Sequence, residues 1–153
     1  MKNKVQVQKG ALLMAIAAVA FIGYAALFFI LNFSGSGFEL GVDALNGTTR
    51  DQLMRFNPAV MYYIGHLHLA TAGFIAATGI AVFALSWYGV RQGLMWAWVA
   101  AVLAPVVGLA VALPMHYFHL FSHNWVLHLG PIYLATAIFV IGALISLSGM
   151  RRK

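Results

Sequence analysis

Residues 10–33 read GALLMAIAAVAFIGYAALFFILNF, a stretch without a single charged side chain. An α-helix needs about 20 apolar residues to cross the roughly 30 Å of hydrocarbon in a bilayer, and this stretch is long enough. The lysines before it give the N-terminus the outline of a signal peptide. Because the apolar run exceeds a signal core and no small-residue cleavage site follows it, we expect a retained transmembrane helix.

Further apolar segments follow the first, and each is near the length of a membrane span. We expect helices at about 10–33, 58–86, 94–118 and 125–149, with a long loop at 34–57. The connections after the second and third segments are short, so these helices are expected to pack antiparallel. The sequence therefore predicts an all-α integral membrane four-helix bundle, a single transmembrane domain over residues 1–153.

Composition and charge distribution agree with this prediction. Hydrophobic residues make up 63% of the chain and charged residues only 8%, too few to cover the surface of a soluble protein. All cations except Arg50 and Arg55 lie before the first segment, between the second and third, or after the fourth, whereas every acid lies within 34–57. Loops rich in Lys and Arg stay cytoplasmic. We therefore expect a protein of the cell (inner) membrane with both termini cytoplasmic, and no nucleic-acid partner.

The predicted outer loop is long for so small a bundle. Its glycines predict irregular structure, and Thr49-Arg50-Asp51 reads as the start of a short helix on the membrane surface. Asn46-Gly-Thr matches a glycosylation acceptor, a short pattern that is common by chance. The loop carries too many apolar side chains to leave in water, so we expect it to dock onto another membrane subunit. These side chains are Phe38, Leu40, Leu45, Leu53 and Phe56.

The second segment is rich in small residues. Gly73 and Ala77 are four residues apart, as are Ala72 and Ala76. Such spacing permits the close approach of another helix backbone or of a flat cofactor.

All six histidines fall in two stretches at the predicted outer ends of the helices. Ionisable groups within a membrane are costly and point to function, and neutral imidazole is the commonest metal ligand. His66 and His68 are two residues apart, roughly 200° around a helix, so they face different sides. His119 and His123 are near enough to the interface to be ordinary solvated residues. The remaining candidates are His116 and His128.

The ligand types restrict the metal. Cysteine is absent, which excludes iron–sulfur clusters, thiolate sites and c-type haem attachment through this chain. No acid lies near the histidines within the helices, so a carboxylate-bridged di-iron site lacks its ligands. Imidazole ligands suit haem iron, copper or zinc. A haem would be held by His66 with His128 or His116 opposite and His68 as a weaker candidate.

Copper is the alternative metal. It would use pairs on one helix face, His116 with His119 or His119 with His123, together with the thioethers of Met115 and Met61.

Residues 63–74 read YIGHLHLATAGF and carry a resemblance to a known family. This segment resembles the second helix of the catalytic subunit of haem–copper oxidases and, more closely, of nitric oxide reductases. It is also similar to small four-helix membrane proteins with a His-x-His-Leu segment. The resemblance covers the second and third segments and implies that His66 ligates low-spin haem b. The family's copper ligands and second haem ligand lie on helices that this chain lacks, so it is not a complete oxidase or reductase.

These observations predict a small membrane subunit that binds haem b and takes part in electron transfer, with a quinone or with other subunits of a larger respiratory-type complex. We expect a subunit of an oxidoreductase complex rather than a self-sufficient enzyme. Two alternatives stay open. One is a cofactor-free accessory subunit of a respiratory, monooxygenase or photosynthetic assembly. The other is a copper-binding membrane protein.

Overall fold

The computed structural model of the chain describes residues 2–35, 37–118 and 120–151, with only the backbone of Lys2, so Ser36 and His119 lie outside the described residues. A small hairpin of β1 (Ala44–Leu45) and β2 (Thr48–Thr49) interrupts an otherwise helical chain. The helices are α1 (Lys2–Ser34), α2 (Arg50–Phe56), α3 (Pro58–Ala84), α4 (Met95–Ala112), α5 (Pro114–Tyr117), α6 (Trp125–His128) and α7 (Gly130–Arg151).

Within the described residues, four helical stretches are long and apolar enough to cross a membrane, as the sequence predicts. These stretches are Asn3–Ser34, Pro58–Gln92, Met95–Tyr117 and Gly130–Arg151. Helix α1 begins well before residue 10, because Lys and Gln are good helix formers and extend it past the apolar run. The third and fourth helices are each broken near one end, at Leu113-Pro114 and at Leu129-Gly130.

Helix α1 is the centre of the bundle and packs against both α3 and α7. Its contact with α7 is close because glycines lie there: a Cβ on Gly10 would be 2.4 Å from the backbone nitrogen of Ser146. Gly79 on α3 approaches α1 at Ala18 in the same way. Helix α4 lies at the flank, because only 11% of its most apolar stretch is buried inside the protein, compared with 39% for α1. The packing is therefore a three-helix core with a fourth helix beside it.

The two ends of the bundle differ in chemistry. Gly149 near the end of α7 packs against Val7 near the start of α1, so both termini lie at the same end. We call this the basic end, because the described side chains there include four cations, Lys4, Lys9, Arg91 and Arg151. The opposite end carries residues 37–57 together with α5 and α6, and we call it the histidine end.

Residues 37–57 are folded, which corrects the prediction of an irregular loop. Asn46 and Gly47 have positive φ angles of 48° and 84°, the geometry of a two-residue hairpin turn. The capping box between Thr49 and Gln52 starts α2, as the sequence predicts for this helix. The Arg50 guanidinium donates hydrogen bonds to the carbonyls of Gly35 and Asn32 and ties the segment to the end of α1.

This segment also covers its own apolar side chains. Phe38 is 4% exposed and packs with Val42 and Met61 in a hydrophobic cluster that Leu45 and Leu53 join. Leu40 packs against a second cluster, and Phe56 alone among the apolar side chains named above is exposed. Apart from Phe56, these side chains are therefore covered within the chain and do not need a partner subunit to shield them from water.

Candidate functional site

The histidine end brings together titratable side chains from three parts of the chain. Glu39 comes from the segment after α1, His68 from α3, and three more histidines from residues 113–129. We call this group the histidine cluster. Its members are Glu39, His68, His116, His123 and His128.

His128 is fixed by the turn at residues 39–42. Asn124 caps α6 by accepting from the backbone nitrogens of Val126 and Leu127, and its own backbone nitrogen donates to the Gly41 carbonyl. Gly41 has φ +75°, and a Cβ there would be 3.1 Å from the His128 backbone nitrogen. This close approach places the Leu40 carbonyl 2.9 Å from Nδ1 of His128, which is 2% exposed.

His116 is placed by the break between α4 and α5. Pro114 begins α5, and the backbone nitrogen of His116 donates to the Leu113 carbonyl in a tight turn. The ring Nδ1 of His116 lies 3.2 Å from the Ala112 carbonyl. Its Nε2 lies 2.9 Å from Nε2 of His128.

The hydrogen bonds of these two rings fix where their protons lie. A carbonyl oxygen can only accept, so Nδ1 carries hydrogen in both His116 and His128. In neutral rings both Nε2 atoms then carry lone pairs, and these lone pairs face each other at 2.9 Å. Two lone pairs repel at that distance unless a positive species lies between or beside them. A positive species beside the two Nε2 atoms would relieve this repulsion.

Glu39 supplies negative charge to the same place. Its Oε1 accepts from Nε2 of His68 at 3.0 Å, and its Oε2 lies 3.7 Å from Nε2 of His128. The sequence shows no acid near the histidines within the helices, and in the folded chain Glu39 reaches them from the segment after α1. The order His68, Glu39, His128, His116 forms a continuous row of titratable groups.

His123 packs against both facing rings, edge-on to His116 and tilted to His128. Its ring centroid lies 5.4 Å from that of His116 and 5.3 Å from that of His128. Both of its ring nitrogens are buried and have no hydrogen-bond partner within the described residues. His123 is thus a third imidazole at the site rather than a solvated residue of a turn. His119, the other residue of the proposed copper pairs, lies outside the described residues.

The remaining sequence candidates lie elsewhere. His66 is exposed on α3 and makes no hydrogen bond within the part of the chain that the structure describes, whereas His68 is half-buried at Glu39. The two rings point to different sides of the helix, as their spacing predicts. Met61 is buried against Phe38 and Val42, and Met115 is 49% exposed.

The environment of His128 favours its neutral form. Burial lowers the pKa of His128 below its ordinary value, and the neighbouring rings of His116 and His123 lower it further. The hydrogen bond to Leu40 and the charge of Glu39 act in the opposite direction, but the effect of burial is larger. The net effect of these surroundings is to favour the neutral ring of His128.

The cluster is not a finished metal site in this arrangement. Across residues 2–35, 37–118 and 120–151, no group of three or more His, Cys, Asp or Glu side chains is placed to hold a metal ion. The Nε2 atoms of His116 and His128 have the spacing of two ligands of one ion, but Glu39, at 3.7 Å from His128, is too far away to be a third. An apolar cavity of about 270 Å³ adjoins Glu39 and His68, lined also by Ile64 and Phe121, so these side chains have room to move.

Comparisons of this chain with protein-family models, with curated proteins and with solved structures found no match. The resemblance of residues 63–74 to haem–copper oxidases and nitric oxide reductases therefore stays a prediction.

Proposed function

We propose that this chain is a membrane protein that binds a divalent transition-metal ion at the histidine end, with Nε2 of His116 and of His128 as ligands. The facing nitrogens, 2.9 Å apart, are the observation that supports this function. Metal–imidazole distances of about 2.0–2.1 Å put two adjacent nitrogen ligands of one ion roughly 2.9–3.4 Å apart. The spacing of the two nitrogens therefore already matches that of two ligands of one ion, and each ring has to tilt so that its lone pair points at the ion.

Glu39 is the third ligand of the proposed site. Its Oε2 is 3.7 Å from Nε2 of His128, a few tenths of an ångström beyond the spacing of adjacent ligands, and a small side-chain rotation closes that gap. His68 holds the other carboxylate oxygen and orients it, and the carbonyls of Leu40 and Ala112 orient the two imidazoles. Outer hydrogen bonds of this kind are usual at metal sites.

The donor set indicates which ions to test. Thiolate is absent from the chain, and imidazole with carboxylate suits copper(II), zinc(II) and iron(II). Among these ions a given site of nitrogen and oxygen ligands generally binds copper(II) most tightly. Copper(II) is therefore the first ion to test and zinc(II) the second. His123, with its unpartnered ring nitrogens in the described structure, is a fourth donor within reach.

A second candidate is the b-type haem that the resemblance implies, with His66 as axial ligand. The observation that favours it is an exposed imidazole inside an apolar span, without a hydrogen-bond partner in the described part of the chain. Leaving a polar imidazole in lipid costs free energy, and coordination of a haem shared with a neighbouring subunit would give the ring a partner. His116 and His128 do not serve together as axial ligands in this arrangement, because opposite ligands of one iron lie roughly 4 Å apart.

The test is metal analysis and spectroscopy of the chain purified in mild detergent. After dialysis against copper(II) or zinc(II), we expect about one ion bound per chain. Electron paramagnetic resonance of the copper form should show hyperfine coupling to at least two nitrogens. His116→Ala and His128→Ala should each lose the ion, because one ring alone with Glu39 is a weak site.

His66→Ala is the matched control, since it removes an imidazole from an apolar helix without touching the cluster. It should keep the copper signal and stoichiometry of the unaltered chain. Gel filtration of each variant verifies that a lost ion does not reflect a lost fold. Copper bound equally by the unaltered chain and by His116→Ala and His128→Ala would overturn the metal proposal. A Soret band that His66→Ala abolishes would favour the haem candidate instead.

A further inference from the structure

The basic end carries a second site that the proposed metal chemistry does not use. An open cleft of about 690 Å³ lies between the start of α1, the helical residues that continue α3 to Gln92, and the end of α7. Polar and aromatic side chains line it where three chain segments meet. The polar and aromatic side chains of the lining include Lys4, Gln8, Trp87, Tyr88, Arg91 and Gln92.

Among the described side chains that line the cleft, the charged ones are all positive. Lys4 and Arg91 line it, and the acids of the chain, Glu39, Asp43 and Asp51, all belong to the segment at the opposite end of the bundle. Lys9 and Arg151, at the same end, add to the same potential. An end of the molecule with this charge attracts anions and gains stability when one binds.

Arg91 is oriented toward a ligand by its own neighbour. Its guanidinium carbon lies 4.4 Å from the centre of the Trp87 ring, a cation–π contact. This contact uses the positive charge of the guanidinium and does not engage its N–H donors. These donors have no acceptor among the residues that the structure describes, and they match the oxygens of a phosphate.

We propose that this cleft binds the phosphate group of an anionic phospholipid. The volume is within the range of about 300–1,000 Å³ of small-molecule sites, which is enough for a headgroup. Trp87 and Tyr88 are the aromatic types found at the level of lipid headgroups. The charge pattern predicts that this end faces the cytoplasm, where the leaflet is rich in anionic lipid.

The experiment is native mass spectrometry of the full chain released from detergent with defined lipids. Phosphatidylglycerol should form a retained one-to-one adduct, whereas phosphatidylcholine, whose phosphate is neutralised within its own headgroup, should bind about tenfold more weakly. Arg91→Gln and Lys4→Gln should each weaken the phosphatidylglycerol adduct about tenfold, the size of one lost charge-assisted hydrogen bond.

Lys9→Gln is the matched control, because it removes one positive charge from the same end outside the cleft. It should keep the adduct of the unaltered chain. Equal loss in Lys9→Gln and Arg91→Gln would overturn the proposal in favour of general attraction by the basic end. Inorganic phosphate is the second probe: binding by it that displaces phosphatidylglycerol at equal concentration would overturn the lipid as source.

Discussion

His128 is bonded through Nδ1 to the Leu40 carbonyl at 2.9 Å, although the two residues are 88 positions apart in the chain. This bond decides which nitrogen of the ring faces His116. The segment between α1 and α3 therefore orients the imidazoles of the cluster in addition to supplying Glu39. The proposed metal site depends on that segment as much as on the helices that carry the histidines.

Replacing the Glu39 carboxylate should weaken metal binding without destabilising the fold. Glu39→Gln keeps a side-chain oxygen that can accept from His68, but it removes the negative charge beside His128. We expect copper(II) affinity to fall by about 10–100-fold, measured by competition with a chelator in detergent. Asp43→Asn, at an exposed acid of the same segment, should leave the affinity unchanged. Equal affinities in all three proteins would exclude Glu39 as a ligand.

The stability of the metal-free protein should fall as the pH falls. Burial lowers the pKa of His128 in the folded chain, whereas the unfolded chain takes up this proton near the ordinary value of about 6.5. The unfolded state then binds more protons, so the contribution of the neutral ring is complete above about pH 6.5 and declines below it. When the pH is lowered from 7.5 to 5.5, the thermal unfolding temperature should fall further for the unaltered chain than for His128→Asn. The same slope in both would contradict the prediction.

The sequence identified His116, His128 and His68 as candidates, yet it did not identify Glu39. Histidine in an apolar segment stands out by composition alone, because polar groups are rare there. The position of Glu39 depends on the fold of residues 37–57, which no periodicity predicts. A usable signal was the acid lying between two apolar residues, Phe38 and Leu40, a context typical of a buried turn rather than a solvated loop.

The turn that carries Leu40 should not tolerate a side chain at Gly41. This residue has φ +75°, and a Cβ would lie about 3.1 Å from both the His128 backbone nitrogen and the Leu127 side chain. Gly41→Ala should therefore reduce both stability and copper affinity. Gly47→Ala is the control, because φ is +84° there but nothing lies within 4 Å.

The Gly47→Ala control separates the strain of a positive φ angle from the steric clash of an added Cβ with α6. Gly47→Ala should cost about 1–2 kcal/mol of unfolding free energy through the positive φ alone, and it should bind copper normally. Gly41→Ala should cost more and should lose copper. If the two variants behave alike in both measurements, the approach of Gly41 to α6 has no role in the site.

The sequence predicted the number of apolar helices better than their packing. The spacing of Gly73 and Ala77 suggested a close contact on α3, but Gly73 is exposed and nothing lies within 4 Å of its added Cβ. A close approach lies instead between α1 and α7, where a Cβ on Gly10 would be 2.4 Å from the backbone nitrogen of Ser146. Periodicity shows which small residues share a face, but it does not show which helix that face meets.

Arg50 should hold residues 37–57 on the bundle. Its guanidinium donates to the carbonyls of Gly35 at 2.9 Å and Asn32 at 2.8 Å, where the last turn of a helix leaves carbonyls without an intrahelical donor. Arg50→Ala should cost about 2 kcal/mol and expose the segment to limited proteolysis. Arg55→Ala removes an exposed cation from α2 and is the control. Identical cleavage rates in the two variants would show that the segment is held without this clamp.

The contact between α1 and α7 gives a test of the fold itself. A Cβ on Gly10 would lie 2.4 Å from the backbone nitrogen of Ser146 and 2.5 Å from the Gly142 carbonyl, and backbone atoms cannot rotate aside. Gly10→Ala should therefore destabilise the protein by about 1–3 kcal/mol, measured by unfolding in mixed detergent. Gly23, on the same helix, has nothing within 4 Å of its added Cβ. Gly23→Ala should be neutral or stabilise by up to about 1 kcal/mol, because alanine favours helix. The two substitutions are chemically the same, so an equal effect from both would mean that α1 and α7 do not pack at Gly10 as described.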